Sequence, residues 1–254
     1  MAIITLLTDF GLADTYVGQV KGAILAVAPG TSLVDLTHAV EPQDVLGGAW
    51  QLALAVDVFP VGTIHLAVVD PGVGSTRRAI AVRARRGDVF VGPDNGLLMP
   101  GVERLGGLTS AVELTAQRYW RGEPTATFHG RDIFGPVAGH LAAGVALEAL
   151  GTPIGDPVPL ALPEPKGDVG EVIHVDTYGN LITNLRLGDV PVDEFLLRVN
   201  HELVASAPFY DVVPAGELLA LEGSAGLLEI ALRDGSAARL TGARRGTPVF
   251  FERL

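Results

Sequence analysis

The sequence predicts an α/β N-terminal domain, with a mainly parallel sheet flanked by helices, followed by a smaller all-β, barrel-like domain. Three observations predict it. Strand-like and helix-like apolar segments alternate through the first 150 residues. A proline-rich stretch then interrupts them. Beyond it, short apolar runs follow one another, separated by turn residues.

The elements follow in order. Ile3–Thr8 is a short apolar run of the buried-strand type. Val17, Val20, Ile24 and Val27 recur at helical spacing, and Pro29-Gly30 ends them. Ser32–Thr37 is the next strand. Val45, Ala49, Leu52, Ala53 and Val56 mark a second helix, which ends near Pro60. Thr63–Val69, Ala79–Ala84 and Val89–Val91 read as further strands, and Ile133–Leu147 as a later helix with Asp132 near its start. Pro153, Pro157, Pro159, Pro163 and Pro165 make residues 151–167 a stiff connection. After it, Gly170–Val175, Leu181–Asn184, Phe195–Val199, Glu202–Ala205, Leu218–Leu221, Leu227–Leu232 and Val249–Glu252 are short strands, a sandwich or barrel by pattern. The expected division is 1–155 for the α/β domain, 156–167 for the linker and 168–254 for the all-β domain.

Composition narrows the function. With 254 residues, 48% of them hydrophobic, the chain can bury a full core. It has no cysteine, which excludes disulfides, thiolate metal sites and cysteine nucleophiles. A net charge of −11 argues against a nucleic-acid partner, which needs a basic face. The N-terminus lacks a basic region before its apolar run, and the longest uncharged run, Ile133–Leu147, is too short and too interrupted to span a membrane. A soluble, cytoplasmic protein is expected.

In open α/β sheets ligands bind beyond the carboxyl ends of the strands. Those ends carry Asp9 and nearby Asp14 in TDFGLAD, Asp70 in VVDPGVGSTRR, and Asp94 with Asn95 in GPDNG. Taken singly, each is equally ordinary turn chemistry. Parallel strands would gather them on one rim. His129, in TATFHGRDIFG, is a lone histidine beside a glycine, of interest for what faces it. The dinucleotide, phosphate-loop, zinc-protease and G-x-S-x-G signatures are absent, and the 6 histidines are scattered, so no metal site is implied.

Five ordered motifs then resemble one family: TDFG at Thr8–Gly11, VDPGVGSTRR at Val69–Arg78, GPDNGLL at Gly92–Leu98, FHGRDIF at Phe128–Phe134 and DTYGNLITN at Asp176–Asn184. The chain is similar to the S-adenosylmethionine hydroxide adenosyltransferases, or S-adenosylmethionine hydrolases, which are related to fluorinase and chlorinase. The resemblance implies hydrolysis of S-adenosyl-L-methionine to adenosine and L-methionine, without metal or cofactor. It implies a homotrimer whose sites lie between one subunit's N-terminal domain and a neighbour's C-terminal domain. It puts the reacting set on Asp70, Arg77 and His129, and the ribose carboxylate on Asp9. Asp14 and Asp176 fall near the methionine ammonium, Asn180 and Tyr210 at the adenine, and Ser224 at the methionine carboxylate.

Departures from the halogenating branch favour water as nucleophile. Position 70 is Asp where fluorinase has an aromatic hydroxyl, position 130 is Gly where it has a serine, and Gln43 replaces a tryptophan. The connection Arg83–Asp88 is too short for fluorinase's insertion. Two other readings stand beside hydrolysis: a halide adenosyltransferase making 5′-chloroadenosine, and a nucleoside-binding protein without turnover.

Overall fold

The computed structural model describes residues 2–188 and 195–253. The chain divides into two compact units, Met1–Leu162 and Pro163–Leu254.

The first unit is a seven-stranded sheet in the order β2-β1-β3-β5-β4-β6-β7. Its strands are β1 Ile3–Thr8, β2 Ser32–Thr37, β3 Ile64–Val68, β4 Ala79–Ala84, β5 Val89–Pro93, β6 Leu108–Glu113 and β7 Thr152–Ile154. The expected parallel pairing holds for β2, β1, β3 and β5. The rest is antiparallel. The reason is local, because the connection between β4 and β5 is too short for a crossover and can only make a hairpin. Ala79 therefore sits opposite Pro93, and the start of β4 lies at the rim where β5 ends.

Helices cover both faces of this sheet. α1 (Tyr16–Val27) and α4 (Gly135–Ala142) bury Val20, Ile24, Val137 and Ala138 against Ile4, Leu6, Leu66 and Val68. On the other face, α2 (Val45–Ala55) and α3 (Met99–Arg104) bury Ala49, Leu52 and Val102 against Leu7, Ala67, Val69 and Phe90. Successive strand residues thus serve opposite layers, as a pleated strand requires. The Asp44 side chain caps α2 by accepting from Gly47 N–H at 3.0 Å.

Three segments differ from the expected elements. The helix expected over Ile133–Leu147 is α-helical only to Ala142. A π-turn at Gly130–Phe134 precedes it, and Gly144, with φ +92°, ends it. β6 and α3 lie between expected elements. β7 occupies the start of the proline-rich stretch, pairing Val112 with Pro153. Proline is tolerated there because β7 is an edge strand.

The second unit is a sheet in the order β11-β10-β14-β8-β9-β13-β12. Its strands are β8 Val169–Val175, β9 Leu181–Thr183, β10 Phe195–Val199, β11 Glu202–Ala205, β12 Leu218–Glu222, β13 Leu228–Leu232 and β14 Pro248–Arg253. Every adjacent pairing is antiparallel. A bridge from Ser206 to Ala220 ties the two edges, so the sheet nearly closes into a barrel. Its core gathers Val172, Leu181, Phe195, Leu197, Leu228 and Ile230, with the short helix α5 (Ala237–Thr241) packed on it. Among the described residues, no helix is long and apolar enough to cross a membrane.

Candidate active site

The parallel strands β1, β3 and β5 run the same way, so their carboxyl ends share one rim. That rim receives Asp9, Asp70, and Asp94 with Asn95. Antiparallel β4 starts there, which brings Arg77 and Arg78 back to the acids.

The return is a tight turn. Val73 N–H donates to Asp70 O at 3.2 Å, and Ser75 N–H to Gly72 O at 3.1 Å. The Ser75 hydroxyl donates to Gly72 O at 2.6 Å and accepts from Arg77 N–H at 3.2 Å. Gly74 has φ +77°, and a Cβ there would lie 2.2 Å from the Ala126 carbonyl oxygen. Only glycine fits that position, and its fit docks the loop before His129 onto the turn.

Arg77 joins three groups. Its Nε is 3.0 Å from both Asp70 oxygens, and its Nη2 donates to Asp70 Oδ2. The same Nη2 donates to His129 Nδ1 at 2.8 Å. Its guanidinium also stacks 5.2 Å from the Phe134 ring centroid. A guanidinium can only donate, so His129 Nδ1 accepts and the ring hydrogen belongs on Nε2. Burial, and then the charge of Arg77, push the pKa of His129 below its ordinary 6.5, which keeps the ring neutral.

Arg78 faces elsewhere. Its Nε donates to Asp94 at 2.7 Å, and Nη1 to Asp156 at 2.7 Å. Asp94 also accepts from Val158 N–H at 2.7 Å, so this pair fastens the segment after β7 to the sheet rim. Asn95 supports the end of β3, donating to Val69 O at 2.8 Å.

Asp9 is half-buried and accepts from Gln43 N–H at 2.9 Å. Gln43 holds a left-handed backbone, φ +66°, to present that N–H. Under this turn the buried His38 lies 2.9 Å from Thr8 Oγ1, which accepts from Phe10 N–H. Asp14 is exposed, at the entrance to α1. Phe10, Tyr16 and Phe128 form an edge-to-face cluster with centroids 5.2–6.2 Å apart. A Cβ at Gly130 would come within 3.4 Å of Phe10 and Phe128.

In the second unit, Asp176 closes the DTYGN turn. Its Oδ1 accepts from Tyr178 and Asn180 N–H, and its Oδ2 from Asn180 Nδ2 at 3.0 Å. Asn180 and Tyr210 share a cavity of about 540 Å³ with Tyr178, Leu232, Arg233 and Gly235. Ser224 is exposed on the turn between β12 and β13 and does not line that cavity. Glu229, which accepts from the Tyr210 hydroxyl, carries one signal in the sequence, an acid inside the apolar run Leu227–Leu232. Among the described residues, no group of three or more histidine or carboxylate side chains has the arrangement of a metal site.

Residues 4–151 match the family model described as the SAM hydroxide adenosyltransferase N-terminal domain, and residues 170–250 match the corresponding C-terminal domain. The chain is 44% identical over 253 residues to an (R)-S-adenosyl-L-methionine hydrolase of Salinispora tropica, covering 96% of this chain and 95% of that one. A fluorinase of Nocardia brasiliensis is 30% identical over 279 residues, covering 93% and 92%. The crystal structure of an uncharacterized conserved protein from Thermotoga maritima superposes with a TM-score of 0.92 at 37% identity, covering 98% and 99%.

Proposed function

The chain belongs to the SAM hydroxide adenosyltransferase family, and on that premise we propose that it hydrolyses S-adenosyl-L-methionine to adenosine and L-methionine. The observation that carries the reading is the Arg77 clamp, in which one guanidinium is bonded to both Asp70 and His129 at the sheet rim.

The chemistry suits this set. Methionine leaves the sulfonium as a neutral thioether, so C5′ needs only a nucleophile in line. Water is a poor one, with a pKa of about 15.7, and must be oriented and partly deprotonated. General-base help is worth about 10²–10⁴-fold. Asp70 is the base in this proposal. His129 is spent as an acceptor on Arg77, and its Nε2–H is left to donate to the water oxygen and fix its direction. Water gives its proton to Asp70, its oxygen bonds C5′, and the C5′–S bond pair leaves on methionine. Asp70 then releases the proton to solvent. Arg77 orients Asp70 through its bonds to both carboxylate oxygens and attracts the developing hydroxide. No cofactor is needed for these steps.

The same proposal gives Asp9 to the ribose hydroxyls, Asp14 and Asp176 to the ammonium, Asn180 and Tyr210 to the adenine and Ser224 to the methionine carboxylate. With Asn180 Nδ2 held by Asp176, the amide oxygen is the acceptor offered to an exocyclic amine. A homotrimer with shared sites belongs to the proposal too. Leu12, Tyr178 and Phe209, exposed by 77%, 79% and 55%, are apolar groups an interface would cover. A cytoplasmic location belongs to the proposal as well.

Halide transfer is the second reading, favoured by the fluorinase likeness. A carboxylate at position 70 opposes it by repelling an anionic nucleophile. The test is to incubate the purified protein with S-adenosyl-L-methionine, as both sulfonium epimers, with and without chloride. Adenosine and methionine support hydrolysis, 5′-chloroadenosine supports transfer, and tight binding without product supports a nucleoside binder.

A further inference from the structure

Glu229 lies in β13 between Leu228 and Ile230 and is only 6% exposed. Burying a carboxylate is costly unless it is hydrogen-bonded, and an apolar residue would pack there without that cost. Glu229 is bonded on the side of the cavity, where its Oε1 accepts from the Tyr210 hydroxyl.

Tyr210 needs such a tether. It lies on the segment 209–213, which has one short 3₁₀ turn at Tyr210–Val212. Phe209, Tyr210 and Val212 are exposed by 55%, 45% and 46%. Arg233, also on the cavity wall, fixes this segment's backbone. Its Nη1 donates to Asp211 O at 3.1 Å and Val213 O at 2.5 Å, and its guanidinium pairs with the Asp211 carboxylate. The Arg233 bonds hold the chain, but they leave the tyrosine ring free to turn. The Glu229 bond removes that freedom. The other oxygen of Glu229 lies against Gly223, where a Cβ would come within 2.5 Å of it. The turn that carries Ser224 is therefore shaped around the same carboxylate.

We propose that Glu229 is a positioning residue for substrate binding: through the Tyr210 hydroxyl it fixes the aromatic wall of the cavity in the all-β unit. The inference rests on the reading of that cavity as the adenine site. A wall held in place before the ligand arrives spares the ordering cost at binding. Burial, and then this bond to Glu229, push the Tyr210 pKa up, so the hydroxyl keeps its proton and remains the donor. Burial, together with the negative charge of Asp176, raises the pKa of Glu229. Either protonation state still offers an oxygen to Tyr210.

The test compares Glu229→Leu, Glu229→Gln, Tyr210→Phe and the Glu229→Leu/Tyr210→Phe double variant. Adenosine affinity is read by calorimetry, and KM and kcat with S-adenosyl-L-methionine. Glu229→Leu and Tyr210→Phe should each weaken adenosine and raise KM by about 5- to 10-fold, the worth of one hydrogen bond, with kcat unchanged. Glu229→Gln keeps an acceptor and should restore most of the affinity. The double variant should be no worse than either single one, because both remove the same bond. Unchanged affinity in the single variants, additive losses, or a fall in kcat at constant KM would overturn the inference. If Glu229→Leu does not fold, Tyr210→Phe decides alone, since it removes one oxygen from a half-exposed ring. Native protein that fails to bind adenosine overturns the adenine reading and this inference together. Native binding that ignores all four substitutions overturns only the inference.

Discussion

Arg77 Nη2 lies 2.8 Å from His129 Nδ1, and the same nitrogen is bonded to Asp70. In the proposed mechanism that contact leaves the role of base to Asp70, because a neutral imidazole whose Nδ1 accepts from arginine has no second lone pair for a proton. Protonating His129 would set two donors against each other. With its pKa held below 6.5, kcat/KM should stay level as pH falls to about 6.5 and decline only below it. A pH–rate profile whose acid limb is centred above 6.5 contradicts this assignment.

Asp70→Ala, Arg77→Ala and His129→Ala should each cut turnover by at least about 10²-fold, while adenosine binding stays near native. Arg78→Ala should cost much less turnover, since Arg78 is bonded to Asp94 and Asp156 and not to Asp70. Steady-state kinetics of the four variants check the order. A larger loss in Arg78→Ala would put the wrong arginine at the site.

Asp9→Asn should weaken adenosine by roughly 10- to 100-fold, the value of hydrogen bonds to a charged acceptor. The affinity of 2′,3′-dideoxyadenosine should scarcely change. Equal losses for both ligands would mean that Asp9 serves only the Gln43 turn, whose N–H it accepts at 2.9 Å.

Gly74→Ala tests the turn itself. The substitution places a Cβ at φ +77° and 2.2 Å from Ala126 O, so turn and loop must separate. Unfolding in urea should show a loss of about 1–3 kcal/mol, and turnover should fall with it as Arg77 and His129 move apart. Native stability and native rate together would show that the two segments adjust independently.

How much of this was legible follows from where the signals are local. Apolar runs and the Asp9, Asp70 and Asp94 strand ends are sequence-local, and the sheet placed them on one rim. The antiparallel half of the sheet was hidden because Leu108–Glu113 carries no clear period and β7 begins with Thr152-Pro153. The Tyr210–Glu229 bond spans 19 positions, and the Arg77–His129 contact spans 52, so only the fold, or a family likeness, brings them together.

His65 should make the fold sensitive to acid. It is fully buried, 2.8 Å from Thr5 Oγ1 and 3.6 Å from Asp88. Burial outweighs the carboxylate and pushes its pKa down to about 4. Between that value and the ordinary 6.5, the unfolded chain binds the extra proton. Stability should therefore be complete above pH 6.5 and fall as pH drops toward 4, by roughly 3 kcal/mol over the window. The melting temperature of His65→Gln should vary less between pH 7 and pH 4.5 than the native value does. An equally steep native and variant profile would assign the acid sensitivity to other groups.

The proposed hydrolysis requires water to reach C5′ beside Asp70, and isotope labelling tests that directly. A single turnover of S-adenosyl-L-methionine in H₂¹⁸O, read by mass spectrometry, should place one ¹⁸O in the 5′-hydroxyl of adenosine and none in methionine, and Asp70→Asn should form almost no labelled product. Unlabelled adenosine, label in the amino-acid product, or native yield from Asp70→Asn would contradict it.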